Sequence, residues 1–364
     1  MRIALILVAC LLVGLVGCSQ EKAEQPTPPE GPIVTPPITW KALPDLPQPL
    51  GFGGPFAGVS NGALIVAGGA HFPVSLFEGG TKLWVDPVFV LEPGKDAWLA
   101  AGKLPKPLAY GAAVSTPDGI VLAGGCDSKT HFADVYRLTW ANGKIDTTPL
   151  LSLPKPCAYT SAALIGSVMY VAGGQESPKA TTAMKNFWAL DTAKADATWQ
   201  ALPAWPGPGR ILPVAAACDG KFYVFSGADL APGPDGKAQR KYLTDAYRYD
   251  PATKAWDKLA DMPRPAVAAP TPAMVVGSGC ILVCSGDDGK LADKVFELKE
   301  KHPGFHKDIL SFSTEANAWI TTGEVPQGQV TNCTATWQGM YVVPSGEVRP
   351  GVRTPKVSAA TPVD

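Results

Sequence analysis

The sequence predicts an all-β protein: a six-bladed β-propeller whose last blade is closed by the N-terminal strand. Three observations predict it. A strand–turn–strand unit ending in a glycine doublet, or in Ser-Gly, recurs six times along the chain. Glycine and proline are both abundant, at 38 and 37 of 364 residues, while apolar residues stay at 46%. That mixture suits many short strands and tight turns, not disorder. Beyond residue 37, no stretch carries the 3.6-residue apolar period of a competing helix.

The first element is an export segment. Met1 and Arg2 give a minimal positive start, and Ile3 to Val16 is an almost unbroken apolar run. It is too short to span a bilayer, which takes about 20 residues, and fits residues 1–17 as a signal peptide. Leu15-Val16-Gly17-Cys18 resembles a lipobox, so Cys18 is expected to carry lipid and become the mature N-terminus. Ser19 rather than Asp follows it. The expected address is therefore the cell envelope, at the outer membrane, facing the periplasm or the cell surface. Residues 18–37 are rich in Pro, Glu, Gln and Thr, a composition too poor in apolar surface to order itself, and read as a tether. Residues 38–364 form the propeller.

The repeated unit occupies Ala63–Gly69, Gly119–Gly125, Val168–Gly174, Lys221–Gly227, Cys280–Gly286 and Met340–Gly346. Doublet spacing runs from 49 residues (Gly125 to Gly174) to 60 (Gly286 to Gly346), near the roughly 50 of a Kelch blade. Trp98, Trp199, Trp256 and Trp319 close repeats, and Leu104-Pro105, Leu153-Pro154, Met262-Pro263 and Val325-Pro326 open the next. The second repeat lacks its closing Trp. A third strand ends in an aspartate turn, as at Tyr249-Asp250-Pro251, so each repeat reads as four short strands. After the last doublet only about one strand remains. Ile38–Pro44, with Trp40 and Leu43-Pro44, supplies the missing fourth and should pair into the last blade, which removes the open edges.

Bulk charge excludes some partners. A formal net charge of −1 gives no electrostatic case for nucleic acid, and membrane contact is expected through the lipid alone. A monomer or weak dimer is expected. Cys126, Cys157, Cys218, Cys280, Cys284 and Cys333 form no C-x-x-C pair. Cys280 and Cys284 share a strand face about 13 Å apart and cannot bridge each other. The six read as small core residues, with an inter-strand disulfide elsewhere left open.

Antiparallel order places the loops after each doublet and those opening each first strand on one rim, at the channel mouth. That rim should gather Glu347 and Arg353 after the sixth doublet, and Glu78 and Lys82 from the long first loop. Arg210, Tyr110, Tyr159 and Asn332 come from the first-strand openings, with His71, Asp127 and Gln175 just after doublets. Two arginines and two glutamates converging there mark the rim as the candidate functional face without identifying its ligand.

Ser345-Gly346-Glu347-Val348-Arg349-Pro350-Gly351-Val352-Arg353-Thr354 resembles the G-E-x-[KR]-P-G-x-R-T signature of N-acetylneuraminate epimerases, the sialic-acid mutarotases. Phe56–Ala70, Glu78–Lys82 and Pro208-Gly209-Arg210 are similar to further family segments. Their order is rotated, which resembles the cyclically permuted branch of that family. The resemblance implies a mutarotase acting on sialic acid or a related sugar acid without a cofactor or metal. It implies acid/base roles around Glu347, and substrate carboxylate binding by Arg353 with Arg210. Serine in three doublets, Pro355 after Thr354 and the lipid anchor depart from the familiar pattern.

Two other readings compete. A non-catalytic envelope propeller binding a glycan or a protein would keep the rim and tolerate loss of Glu347. A copper-radical oxidase would need two His and two Tyr ligands. Of the four histidines, His302 and His306 flank a Pro-Gly loop, so helical metal-ligand spacing does not apply.

Overall fold

The computed structural model describes residues 35–363; the expected signal peptide, Cys18 and the expected tether as far as residue 34 lie outside the described residues. Six four-stranded antiparallel sheets are arranged as the blades of a propeller. The first blade holds Phe56–Ser60, Ala63–Ala67, Pro87–Leu91 and Leu99–Lys103, from the channel outward. The sixth holds Ala335–Trp337, Met340–Pro344 and Val357–Pro362, with Ile38–Leu43 as its outer strand. That outer strand pairs in continuous register from Ile38 opposite Pro362 to Leu43 opposite Val357, the predicted closure. Ahead of it, the Thr35 hydroxyl donates to Ser311 Oγ at 2.7 Å.

Small residues line the axis because six inner strands must converge there. Ala112, Ala113, Ala162, Ala163, Ala215 and Ala216 are buried on three of them. The second strands carry the larger apolar load. Leu64, Ile65 and Val66 are fully buried, each contributing about 1.5–3 kcal/mol over an exposed side chain.

The tryptophans tie blade to blade. The indoles of Trp98, Trp199, Trp256 and Trp319 donate to the carbonyls of Pro44, Leu151, Pro203 and Ala260, at 2.7–2.9 Å. The serines at three doublets have a physical reason. Ser226, Ser285 and Ser345 adopt left-handed φ of 51°, 66° and 57°, a costly conformation for a side chain. Their hydroxyls accept the amides of Ala266, Gln329 and Phe52 at 2.7–2.8 Å, stitching each doublet to the blade that follows.

Three features differ from the sequence reading or resolve it. A one-turn α-helix, Val295–Leu298, sits in the insert between the second and third strands of blade five, flanked by 3-10 turns. Such a short helix has no period to detect. All six described cysteines are buried; burial pushes the Cys157, Cys284 and Cys333 thiols up to about 12. No helix among the described residues is long and apolar enough to cross a membrane.

Candidate functional site

The two loop sets meet on one rim through six like bridges. In each blade the residue opening the first strand pairs with one just after the doublet: Gly53 with Ala70, Ala109 with Cys126, Ala158 with Gln175, Ile211 with Ala228, Val267 with Asp287, and Val330 with Glu347. The next residue in each blade is left-handed: Gly54, Tyr110, Tyr159, Leu212, Ala268 and Thr331, with φ between 52° and 66°. Their backbones form a closed ring. Tyr110 donates to Gly54, Tyr159 to Tyr110, Leu212 to Tyr159, Ala268 to Leu212, Thr331 to Ala268 and Gly54 back to Thr331, at 2.6–3.0 Å. Glycine is needed at Gly54, where a Cβ would lie 2.4 Å from the Tyr110 ring.

This ring narrows the channel to a void of about 30 Å³, room for a water and little more. A larger cavity of about 370 Å³, walled by inner-strand residues such as Ala113, Ala163 and Ala217, lies away from the ionisable cluster. The ionisable cluster sits on the rim side.

Glu347 and Arg353 come together there. Glu347–Arg349 and Val352–Arg353 form a hairpin around Pro350-Gly351, in which Glu347 stands opposite Arg353. Gly351 has a φ of 81°, which the turn reserves for glycine. Its amide donates to Glu347 Oε1 at 2.8 Å, and Arg353 Nη2 donates to Oε2 at 3.1 Å. The Arg353 side chain is 2% exposed and that of Glu347 17%. Arg353 Nε and Nη1 have no partner. Burial alone would lower the Arg353 guanidinium, but Glu347 and Tyr110 outweigh it and the net direction is upward, so it stays charged.

Aromatic rings surround the pair. The Arg353 guanidinium lies 4.8 Å from the Phe72 ring centroid. Lys82 Nζ lies 5.0, 5.4 and 5.9 Å from the centroids of Tyr110, Trp84 and Phe72, a cation–π setting. Tyr110 and Tyr159 pack at 5.1 Å. Burial holds the Tyr159 hydroxyl far above its ordinary value, so it stays protonated. The unpartnered hydroxyls of Tyr110 and Thr331 and Arg353 Nε all face Gly53, within 3.0–3.3 Å of where its Cβ would be. A pocket of about 270 Å³ opens beside Arg353, between Phe72, Leu76 and Phe77. His71 is buried near the pair and lowered, first by burial and then by the Arg353 charge.

Other expected residues stand elsewhere. Arg210 is not on the open rim. Its side chain is 0% exposed and ion-paired with Asp245 at 2.8 Å. It donates to the Ser226 carbonyl at 2.8 Å and lies against the rings of Trp205 and Tyr247. It occupies the inter-blade position that Leu108 and Cys157 fill elsewhere, each accepting from the second glycine of a doublet. Glu78 is exposed on the 3-10 turn Leu76–Glu78. Asn332 is buried beneath the rim, donating to the Ser345 carbonyl at 2.7 Å with Oδ1 unpartnered. Asp127 and Gln175 hold their own loops, and His131 Nδ1 lies 2.9 Å from the Gln175 carbonyl. No group of three or more His, Cys, Asp or Glu among the described residues is arranged to hold a metal.

Sequence reasoning missed Phe72 and Thr331. Thr331 was findable, since it holds the same repeat position as Tyr110 and Tyr159. Phe72 had no repeat register to mark it.

Known proteins place the chain. The N-acetylneuraminate epimerase family model matches residues 30–147 and 150–297; the Glu347–Arg353 hairpin lies beyond that match. An N-acetylneuraminate epimerase of Haemophilus influenzae (strain PittEE) is 31% identical over 214 residues, 53% of this chain and 54% of the relative. That of Pasteurella multocida (strain Pm70) is 29% identical over 230 residues, 57% of this chain and 58% of the relative. The chain thus spans a little over half the length of the curated relatives it matches. The solved structure of YjhT shares the fold with a TM-score of 0.65 at 15% identity, covering 87% of this chain and 95% of that one. Because the family model matches well over half of its length, the chain belongs to the N-acetylneuraminate epimerase family.

Proposed function

We propose that the protein is a mutarotase for N-acetylneuraminate or a closely related sugar acid, working at the rim beside Arg353. The observation that carries this reading is the Glu347–Arg353 pair, whose guanidinium keeps Nε and Nη1 free of partners. A charged guanidinium with unspent donors suits a sugar carboxylate. Changing the anomer requires ring opening. A base takes the anomeric hydroxyl proton, the bond from the anomeric carbon to the ring oxygen breaks, and an acid protonates that oxygen; reclosure on the other face reverses these transfers. Glu347, partly exposed and held by the Gly351 amide, is assigned the proton transfer, and Arg353 the carboxylate. Lys82, Tyr110 and Tyr159 would frame the sugar. The apolar run ending at Cys18 further supports an envelope-anchored enzyme with its lipid on that cysteine.

The test is proton NMR on freshly released α-anomer of N-acetylneuraminic acid, with a chain beginning at Thr35. Equilibration faster than buffer is expected, reduced about 100-fold or more in Glu347→Gln, on the scale of a lost general acid/base. An unchanged urea midpoint would show that the variant still folds. Full activity in Glu347→Gln would remove that role, and no acceleration in the unmutated chain would favour ligand binding without catalysis.

A further inference from the structure

The Glu347–Arg353 hairpin has a second side. Glu347 and Arg353 stand opposite each other at the candidate site, whereas Val348, Arg349 and Val352 line a separate groove of about 610 Å³ between blades five and six. That volume is typical of a small-molecule site. Gly304 and Gly328 keep its walls bare of side chains: a Cβ on Gly304 would meet the Val348 carbonyl at 2.7 Å, and one on Gly328 the Phe305 carbonyl at 2.3 Å.

Its charge is one-sided. Lys307, Arg349 and Lys356 contribute to the lining, which contains no carboxylate. Lys356 is partly compensated by Asp45, outside the lining, at 2.8 Å. Arg349 gives Nη1 to the Glu300 carbonyl at 2.8 Å and keeps a buried Nε without a partner. His302 adds no charge at neutral pH, because burial lowers it. The lining also includes Phe305, Val348, Val352 and Val357, apolar surface of the kind that accepts a sugar face.

We propose that this groove is a second binding site for a carboxylate-bearing sugar, either free or at the end of a glycan chain. The choice of ligand rests on the function proposed above; the groove and its charge do not. Arg349 and Lys307 take the carboxylate, and Phe305 lies under the ring. Because one short hairpin carries Glu347 and Arg353 as well as Arg349, occupancy of the groove would reach the candidate site through that hairpin.

The test counts ligands by equilibrium dialysis, using labelled N-acetylneuraminic acid and its 2-O-methyl glycoside, which cannot change anomer. Two bound sugars per chain are expected, with the weaker or the tighter class reduced about tenfold or more in affinity in both Lys307→Glu and Arg349→Gln. A single class unaffected by either substitution would overturn the groove while leaving the mutarotase reading intact. Two classes without acceleration of anomer exchange would defeat the mutarotase reading and keep the groove. Groove binding by the glycoside but not the free sugar would identify a glycan end as the occupant. Equal binding of both would identify the sugar acid itself.

Discussion

Arg210 shows how a repeat can mislead about one residue. Its position opens an inner strand, as Tyr110 and Tyr159 nearly do, and from sequence that register placed it on the rim. An offset of two residues decides the matter: the left-handed ring positions Tyr110, Tyr159 and Leu212 turn toward the channel mouth, while Leu108, Cys157 and Arg210, two before them, pack between blades. There Arg210 meets Asp245, Trp205 and Tyr247 and is fully buried. Breaking such a pair from one side leaves a carboxylate uncompensated, which costs about 3 kcal/mol. Arg210→Leu should lower the unfolding free energy by that amount, seen as a lower urea midpoint, while the anomer-exchange rate per folded molecule stays at the unmutated value. A stable variant with weakened sugar affinity would return Arg210 to the binding site. Glu347 and Arg353 were legible because both follow the sixth doublet within a stretch that resembles the family signature; the hairpin that sets them opposite each other was not.

Strand count was the most legible property at the scale of elements. Doublets, aspartate turns and closing tryptophans repeat because every blade meets its neighbour by the same contacts, so one physical rule wrote each mark six times or nearly so. The inserts were not legible, because each differs: the one-turn helix of blade five, the hairpin Ala228–Pro232 with Ala238–Tyr242 in blade four, and the Leu76–Glu78 turn in blade one. The closing strand Ile38–Leu43 could be inferred because the last repeat ended one strand short. It pairs along its whole length with Val357–Pro362, and its Ile38 and Trp40 pack on the blade five and six core. A chain beginning at Pro44 would expose that edge for pairing with other chains. It should lose roughly 3 kcal/mol of stability, the scale of deleting one or two large packed side chains, and should form concentration-dependent oligomers in sedimentation. An unshifted urea midpoint with a monomeric profile would show that the ring closes with only three strands in its sixth blade.

Acid sensitivity belongs to the whole molecule, because its titrating groups are spread over three blades and report one unfolding equilibrium. His71, His131 and His302 all lie below the ordinary histidine value of 6.5. Burial is the first cause for each; the Arg353 charge adds to it at His71, whereas the Gln175 carbonyl opposes it at His131 and Asp287 opposes it at His302, where Arg349 adds a smaller push downward. The unfolded chain therefore takes up protons near 6.5 that the folded chain refuses. Stability from these residues is fully present above that value and is lost as pH falls from it through the lowered folded values. Asp288 contributes in a separate, lower window. Burial would raise it, but the Lys290 amide and His306 outweigh burial and hold it down to about 2, so its share is lost only below about 4. Urea midpoints followed downward from about pH 8 should begin to fall near 6.5, the ordinary histidine value, and fall again in stronger acid. Combining His71→Gln with His131→Gln should flatten the first fall and leave the second. A midpoint that stays level or rises as pH drops from 7 to 5 would mean that the buried imidazoles protonate in the folded state, and that the rim around Arg353 is more open to water than its packing implies.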